Sequence, residues 1–255
     1  MNRGNLMVRL APWLYTVIMF LLWELVVRLF KVPAFFLPPP SAIALAIVEY
    51  WGPIYRHSLY TLSTTLIGFA MAVGFGLLLG LVVGWSRSIY AGLYPLMIGF
   101  NAIPKVAVVP ILVLWFGIGF IPAVLTAFLI SFFPIVVNVA TGLATIEPEM
   151  EDVLKALGAS KLDIMRKVGI PRSLPYFFGS LKVAITLAFV GAVVSETVGA
   201  NKGIGKLMLD AQASFQVPIV FAGLLVLAVL GILLYAATAL IEQRFTGWAF
   251  RGQNR

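Results

Sequence analysis

Three long stretches of this chain contain no Lys, Arg, Asp or Glu: Arg56 to Arg87, Lys105 to Glu147, and Asp210 to Glu242. Each exceeds the roughly 20 apolar residues with which an α-helix crosses a bilayer core. Hydrocarbon offers the backbone no hydrogen-bond partner, so such stretches must be helical. A first apolar run, Pro12 to Phe30, and another after Pro175 extend the pattern, and six spans are expected at about 11–30, 58–85, 92–116, 121–144, 176–199 and 216–241. With 61% hydrophobic and 11% charged residues among 255, the expected fold class is an all-α membrane protein. The first run is too long for a signal-peptide core and is followed by Lys31 and Pro33 rather than a small-residue cleavage site, so it is expected to stay as an anchor.

Six spans put both termini on one side. That side then carries Arg3, Arg9, Arg87, Lys155, Lys161, Arg166, Lys167, Arg172, Arg244, Arg251 and Arg255, and the other only Lys31, Arg56, Lys202 and Lys206. The positive-inside bias makes both termini cytoplasmic. The net charge of +8 is thus topological, spread over short loops rather than along one soluble face, and nucleic acid is not an expected partner. The absence of cysteine removes disulfides, thiolate nucleophiles and Cys-based metal sites. His57 is the sole histidine, which suits an interfacial hydrogen bond better than a metal site or proton relay.

After the first span, Pro38 to Pro40 stop any continuous helix, and Ser41 is placed to cap a short new one in which Ile43, Ile47 and Tyr50 or Trp51 share a face. This segment is either an interfacial helix near the solute entrance or a connector resting on the membrane. In the second span Gly68, Ala72, Gly76, Gly80 and Gly84 recur every four residues, a stripe against which another backbone packs closely.

Between the fourth and fifth spans lies a compact charged stretch. Glu147, Glu149, Glu151 and Asp152 crowd its start around Pro148, favouring a helix N-terminus there. Met150, Val153, Leu154 and Leu157 give that helix an apolar stripe, and Gly158 ends or bends it. Ser160 and Asp163 form a capping box for a second short helix with Leu162, Met165 and Val168 on one face, closed by Pro171 and Pro175. Two small amphipathic helices joined at a glycine either dock a partner or lie on anionic headgroups.

The segment "EDVLKALGASKLDIMRKVGIPRSLP" resembles the EAA loop of permease subunits in ATP-binding-cassette (ABC) importers, with Glu151, Gly158, Ala159, Ile170 and Pro171 at matching positions and Asp152 and Val153 where the motif has two alanines. "LPPPSAI", "IPKVAVVPILVLWFGIG" and "SETVGANKGIG" extend the likeness to the branch that imports sulfonates, taurine, nitrate and related solutes. The resemblance implies a type I importer-like permease in a bacterial cytoplasmic (inner) membrane. It further implies a coupling helix seated in a groove of a separate ATPase, with Glu151, Leu154, Leu157, Gly158, Ala159, Ser160, Ile170 and Pro171 as coupling residues. The implied partners are ABC ATPase subunits that bind ATP and Mg, an external solute-binding protein and a second permease copy, expected to form a homodimer. Membrane lipid surrounds the assembly.

The chain itself lacks a phosphate loop, since "ANKGIGKL" has Ala200 at the first glycine position and Leu207 in place of the metal-binding hydroxyl. No cofactor and no enzymatic activity are therefore expected in this subunit. Polar groups inside the spans are the candidates for the pathway: Asn101, Lys105, Ser131, Asn138 and Glu196. Lys105 either attracts an anionic solute or snorkels to the interface; Glu196 either gates or pairs with a nearby cation; Ser131 and Asn138 either line the cavity or bond backbone near Pro134. An intramembrane hydrolase would need a nucleophile and base or a metal constellation, and none is visible. An ion-coupled secondary transporter, the stronger alternative, would need mid-membrane carboxylates or matching broken helices, and would leave the charged stretch without a role. The expected organisation is an N-terminal helix and outer segment over 1–57, a permease core over 58–242 with the coupling loop at 147–175, and a tail over 243–255. A sulfonate, nitrate, aromatic acid or thiamine-precursor pyrimidine all suit the chain.

Overall fold

The structure, a computed structural model, describes residues 3–145 and 148–246, with residues 3–9 and 148 as backbone. Glu147, Arg251 and Arg255 lie outside the described residues, as does most of the 243–255 tail. The elements are helices α1 (Arg3–Leu29), α2 (Pro40–Glu49), α3 (Trp51–Gly84), α4 (Arg87–Ala102), a 3-10 turn (Lys105–Val108) leading into α5 (Val109–Phe116), α6 (Phe120–Ala144), α7 (Pro148–Ala156), α8 (Lys161–Ile164), a π-helical turn (Met165–Gly169) leading into α9 (Ile170–Gly199), α10 (Ile204–Ala213) and α11 (Val217–Thr246). Among the described residues five helices are long and apolar enough to span, or six if the bent pair α4 and α5 counts as one span.

The centre of the bundle is the triad α3, α6 and α9, and the small-residue stripe explains why. A methyl at Gly68 would stand 2.6 Å from Ala127 Cβ, at Gly76 2.9 Å from Ile135 Cβ, and at Gly80 2.7 Å from Val139 Cβ. α3 can therefore lie against α6 only because those side chains are absent. Ala72, Ile135, Val139, Leu143, Leu181 and Ala184 fill the core between the three helices. A second core, at the end where α3 begins, joins Ile43 of α2, Ile54 of α3, Ile204 and Ala211 of α10, and Ile219 and Ala222 of α11.

Three sequence expectations are corrected by the structure. The third span is not one rod: α4 and α5 are bent by 71° at the break around Pro104, which removes a backbone donor. The fifth span begins at Ile170 rather than near 176, because α8 runs through the π-helical turn directly into α9, with Pro171 in its first turn and Pro175 inside it. Ser41 is not the cap of α2. That helix starts at Pro40 after Pro39, and Ser41 instead gives its amide to Glu24 Oε2 (3.0 Å) and its hydroxyl to Glu24 Oε1 (2.8 Å), both on α1. A carboxylate from a spanning helix thus does from a distance what a local side chain does in an ordinary cap.

Candidate coupling element and polar knot

At the end of the bundle where α3 stops, α7 and α8 form the compact charged stretch. α7 carries acids in its first turn and Lys155 in its last, complementing the helix dipole. Glu151 Oε1 pairs with Lys155 Nζ one turn on at 2.9 Å, and that hydrogen bond holds the Glu151 carboxyl below its ordinary pKa. α7 closes in a Schellman turn: Gly158 N donates to Lys155 O (2.9 Å) and Ala159 N to Leu154 O (3.0 Å). Gly158 has φ +83 and no atom of this chain within 4 Å of where its side chain would point. The expected capping box is present, with Ser160 and Asp163 exchanging side-chain and backbone bonds.

The two short helices differ in how they are held. Ile164 and Met165 are buried, and Met165 joins the α3–α6–α9 core, so the second helix is anchored as the foot of α9. On the first helix and the turn beyond it, Val153 is 60% and Leu157 78% exposed and Leu154 is half-buried, while Leu162, on the second helix, is 52% exposed. Of the remaining residues expected to couple, Ala159 and Pro171 are half-buried and Ile170 is exposed. The stripe read from the sequence is real, but most of it faces away from the bundle. Beside it a cleft of about 240 Å³ carries Arg87, Lys155 and Lys161 opposite Glu151 and Asp152, and Lys161 Nζ sits 5.6 Å from the centre of the Trp85 ring.

The polar groups inside the spans are scattered. Lys105 Nζ donates to Asn101 O (3.0 Å) and Asn101 Oδ1 (2.7 Å) and lies 5.8 Å from the Phe133 ring centre. It therefore clasps the carbonyl end of α4 at the break. Ser131 is fully buried and donates to Ala127 O (2.7 Å), and Asn138, half-buried, donates to Pro134 O (2.8 Å).

Glu196 is fully buried and no cation among the described residues pairs with it. Its Oε2 accepts from Thr61 Oγ1 (3.0 Å) and from Gly205 N (3.0 Å), while Oε1 is buried without a partner. Thr61 Oγ1 in turn accepts from Ile204 N at 2.9 Å. His57 Nδ1 lies 3.1 Å from Gly203 N and 2.8 Å from Gly203 O, the tautomer deciding which it bonds. The amides that open α10 are thus met by side chains of α3 and α9. Gly203, at φ +110, leaves no room for a Cβ because the Glu196 carboxyl occupies that place. From the sequence, "ANKGIGKL" reads as a failed phosphate loop that overlaps one of the family-like stretches; its glycines serve this knot. The signal available was their spacing, but of their partners only Glu196 is near in the chain, and His57 and Thr61 lie far away along it.

The comparisons agree with this architecture. The family described as binding-protein-dependent transport system inner membrane component matches residues 72–247. A formylaminopyrimidine transport permease of Halalkalibacterium halodurans is 33% identical over 240 residues, 94% of this chain and 96% of the relative. A taurine transport system permease of Escherichia coli is 26% identical, over 89% of this chain and 85% of the relative. Among solved structures, the methionine ABC transporter in an inward-facing conformation superposes with a TM-score of 0.65 at 20% identity, over 78% of this chain and 98% of that one, and shares the type I importer fold. The chain belongs to the binding-protein-dependent transport system inner membrane component family: it is a permease subunit of an ABC importer, a transport component and not an enzyme.

Proposed function

We propose that α7 and the turn at Gly158 are the coupling element of this permease, seated in a groove of a separate ATPase that binds ATP and Mg. The observation that carries this reading is the exposed apolar surface of Val153, Leu157 and Leu162 around a left-handed Gly158 whose outer side is empty. Water-exposed leucines on a rigid turn are stabilised by a partner surface. A side chain at Gly158 would hold that surface off. Glu151, Leu154, Ala159, Ser160, Ile170 and Pro171 then shape the turn or flank the contact. The end bearing α7 and α8 is cytoplasmic on this reading, both termini included, and the end bearing α2 and α10 is outer. The division into 1–57, a core over 58–242 and a tail over 243–255 follows from it.

A second copy of this chain completes the pathway. What supports this is α4, none of whose residues is buried, together with Leu114 and Trp115 of α5, which are also exposed. An external solute-binding protein delivers the solute, which we take to be a small organic anion of the sulfonate, taurine or nitrate kind. For the path we retain Asn101, Lys105 and Asn138, whose side chains are not fully buried. Ser131 and Glu196 would join it when helices part. The test is to tag the protein, extract it gently from its native membrane and identify the subunits that accompany it. An ATPase should come down with the native chain and be lost with Gly158→Asp. Retention of the ATPase by a folded Gly158→Asp protein would end the assignment.

A further inference from the structure

Where the first turns of α3 face the loop between α9 and α10, an open cleft of about 660 Å³ is lined by Arg56, His57, Tyr60, Ser63, Asn201 and Lys202, with one leucine. Two of these are cations and no carboxylate is among them. Neither Arg56 nor Lys202 has an ion-pair or hydrogen-bond partner among the described residues. The contrast with the charged cleft at the other end is direct, because there Glu151 and Asp152 stand opposite the cations. The buried acid Glu196 does not line this cleft; its Oε2 is already engaged by Thr61 and Gly205.

The cleft is also built rigidly. Asn201 and Lys202 sit on a short loop whose next three residues are bonded to His57, Thr61 and Glu196. Its other wall is α3 itself, with the Tyr60 ring set edge-on against Phe120 at 5.6 Å between centres. The loop cannot swing away from the helix without breaking the knot.

We propose that this cleft binds a single oxyanion, a carboxylate, sulfonate or phosphate group, with Arg56 and Lys202 supplying the countercharge and the Tyr60 hydroxyl and Asn201 amide donating hydrogen bonds. A guanidinium gives paired donors to such a group and an ammonium adds a compact charge. The inference rests on the importer reading in one respect: that reading puts the cleft at the outer mouth of the path, where an anionic solute arrives. The same chemistry is offered by a phospholipid headgroup, and the experiment separates the two sources.

The full-length chain, with whatever subunits accompany it, is placed in phosphatidylcholine nanodiscs and titrated with ethanesulfonate by saturation-transfer NMR. In parallel, phosphatidylglycerol retained from mixed-lipid discs is counted by native mass spectrometry. Both cations are exposed, so Arg56→Gln with Lys202→Gln should fold, and a thermal melt checks this. Loss of two charge-assisted contacts should weaken ethanesulfonate binding about tenfold or more, and Arg56→Lys, which keeps the charge but not the paired donors, should weaken it less than Arg56→Gln. Ethanesulfonate binding that the double variant loses supports a site for a solute anion. Phosphatidylglycerol retention that the double variant loses, with no ethanesulfonate effect, supports the same site filled by a headgroup. Native-like behaviour of the double variant toward both probes overturns the proposal. Because binding is read on the permease, absence of a co-purifying ATPase would fault the importer reading alone.

Discussion

Glu196 and Gly205, nine residues apart across the turn from α9 to α10, are joined by an amide-to-carboxylate hydrogen bond of 3.0 Å. The same oxygen accepts a hydrogen bond from the Thr61 hydroxyl, and Thr61 Oγ1 accepts one from the preceding amide, Ile204 N. One threonine therefore serves both a buried acid and the start of a helix. Thr61→Ala should lower the stability of the extracted protein by about 1–3 kcal/mol, the cost of leaving buried polar groups unpaired. Thr61→Ser keeps the hydroxyl and should recover most of the loss, as read from denaturation midpoints in detergent.

Gly203 tests the knot from the other side. Its φ of +110 and the Glu196 carboxyl occupying the Cβ position make Gly203→Ala strained and overpacked at once, at a cost of about 2 kcal/mol or more. Gly52, in the first turn of α3 with nothing within 4 Å, is the control. Alanine there should be neutral or gain up to about 1 kcal/mol from helix propensity. Equal melting of the two variants would contradict the geometry.

The α3–α6 seam makes a similar contrast within one helix. A methyl at Gly80 would stand 2.7 Å from Val139 Cβ, whereas one at Gly74 meets nothing within 4 Å. Gly80→Ala should destabilise by about 1–3 kcal/mol. Gly74→Ala should melt like the native protein, measured on the isolated chain in detergent.

Lys182 on α9 and Glu242 on α11 form an ion pair at 2.6 Å, with side chains 27% and 12% exposed. Either residue changed to alanine leaves a poorly hydrated charge, and the loss should be on the order of 2 kcal/mol. The exchange Lys182→Glu with Glu242→Lys should restore most of it. A double-mutant cycle that shows no coupling between the two would refute the pair's role.

Much of the molecule could be read from local features of the chain. The uncharged stretches located the spans because a charge in hydrocarbon is costly. The Ser160–Asp163 box and the glycine stripe of α3 were legible because caps and helix faces depend on residues three or four apart. His57 was legible in kind, as a residue making a hydrogen bond, but not in partner. At Pro104 a break in the third span was legible, because proline lacks a backbone donor, but its angle of 71° was not. The early start of α9 at Ile170 and the use of Glu24 to hold Ser41 were not legible, since each depends on what lies alongside.

What the sequence determined by itself was therefore the membrane class, the helices and the charged turn between them, through the solvent each segment can tolerate and the reach of neighbouring side chains. What only the tertiary structure decided was which distant groups meet: Glu196 with Thr61, His57 with Gly203, and Lys182 with Glu242. The reason is physical. Polar groups removed from water must find partners, and in a bundle those partners come from helices adjacent in space, a relationship set by the close packing of α3, α6 and α9 and not by order along the chain.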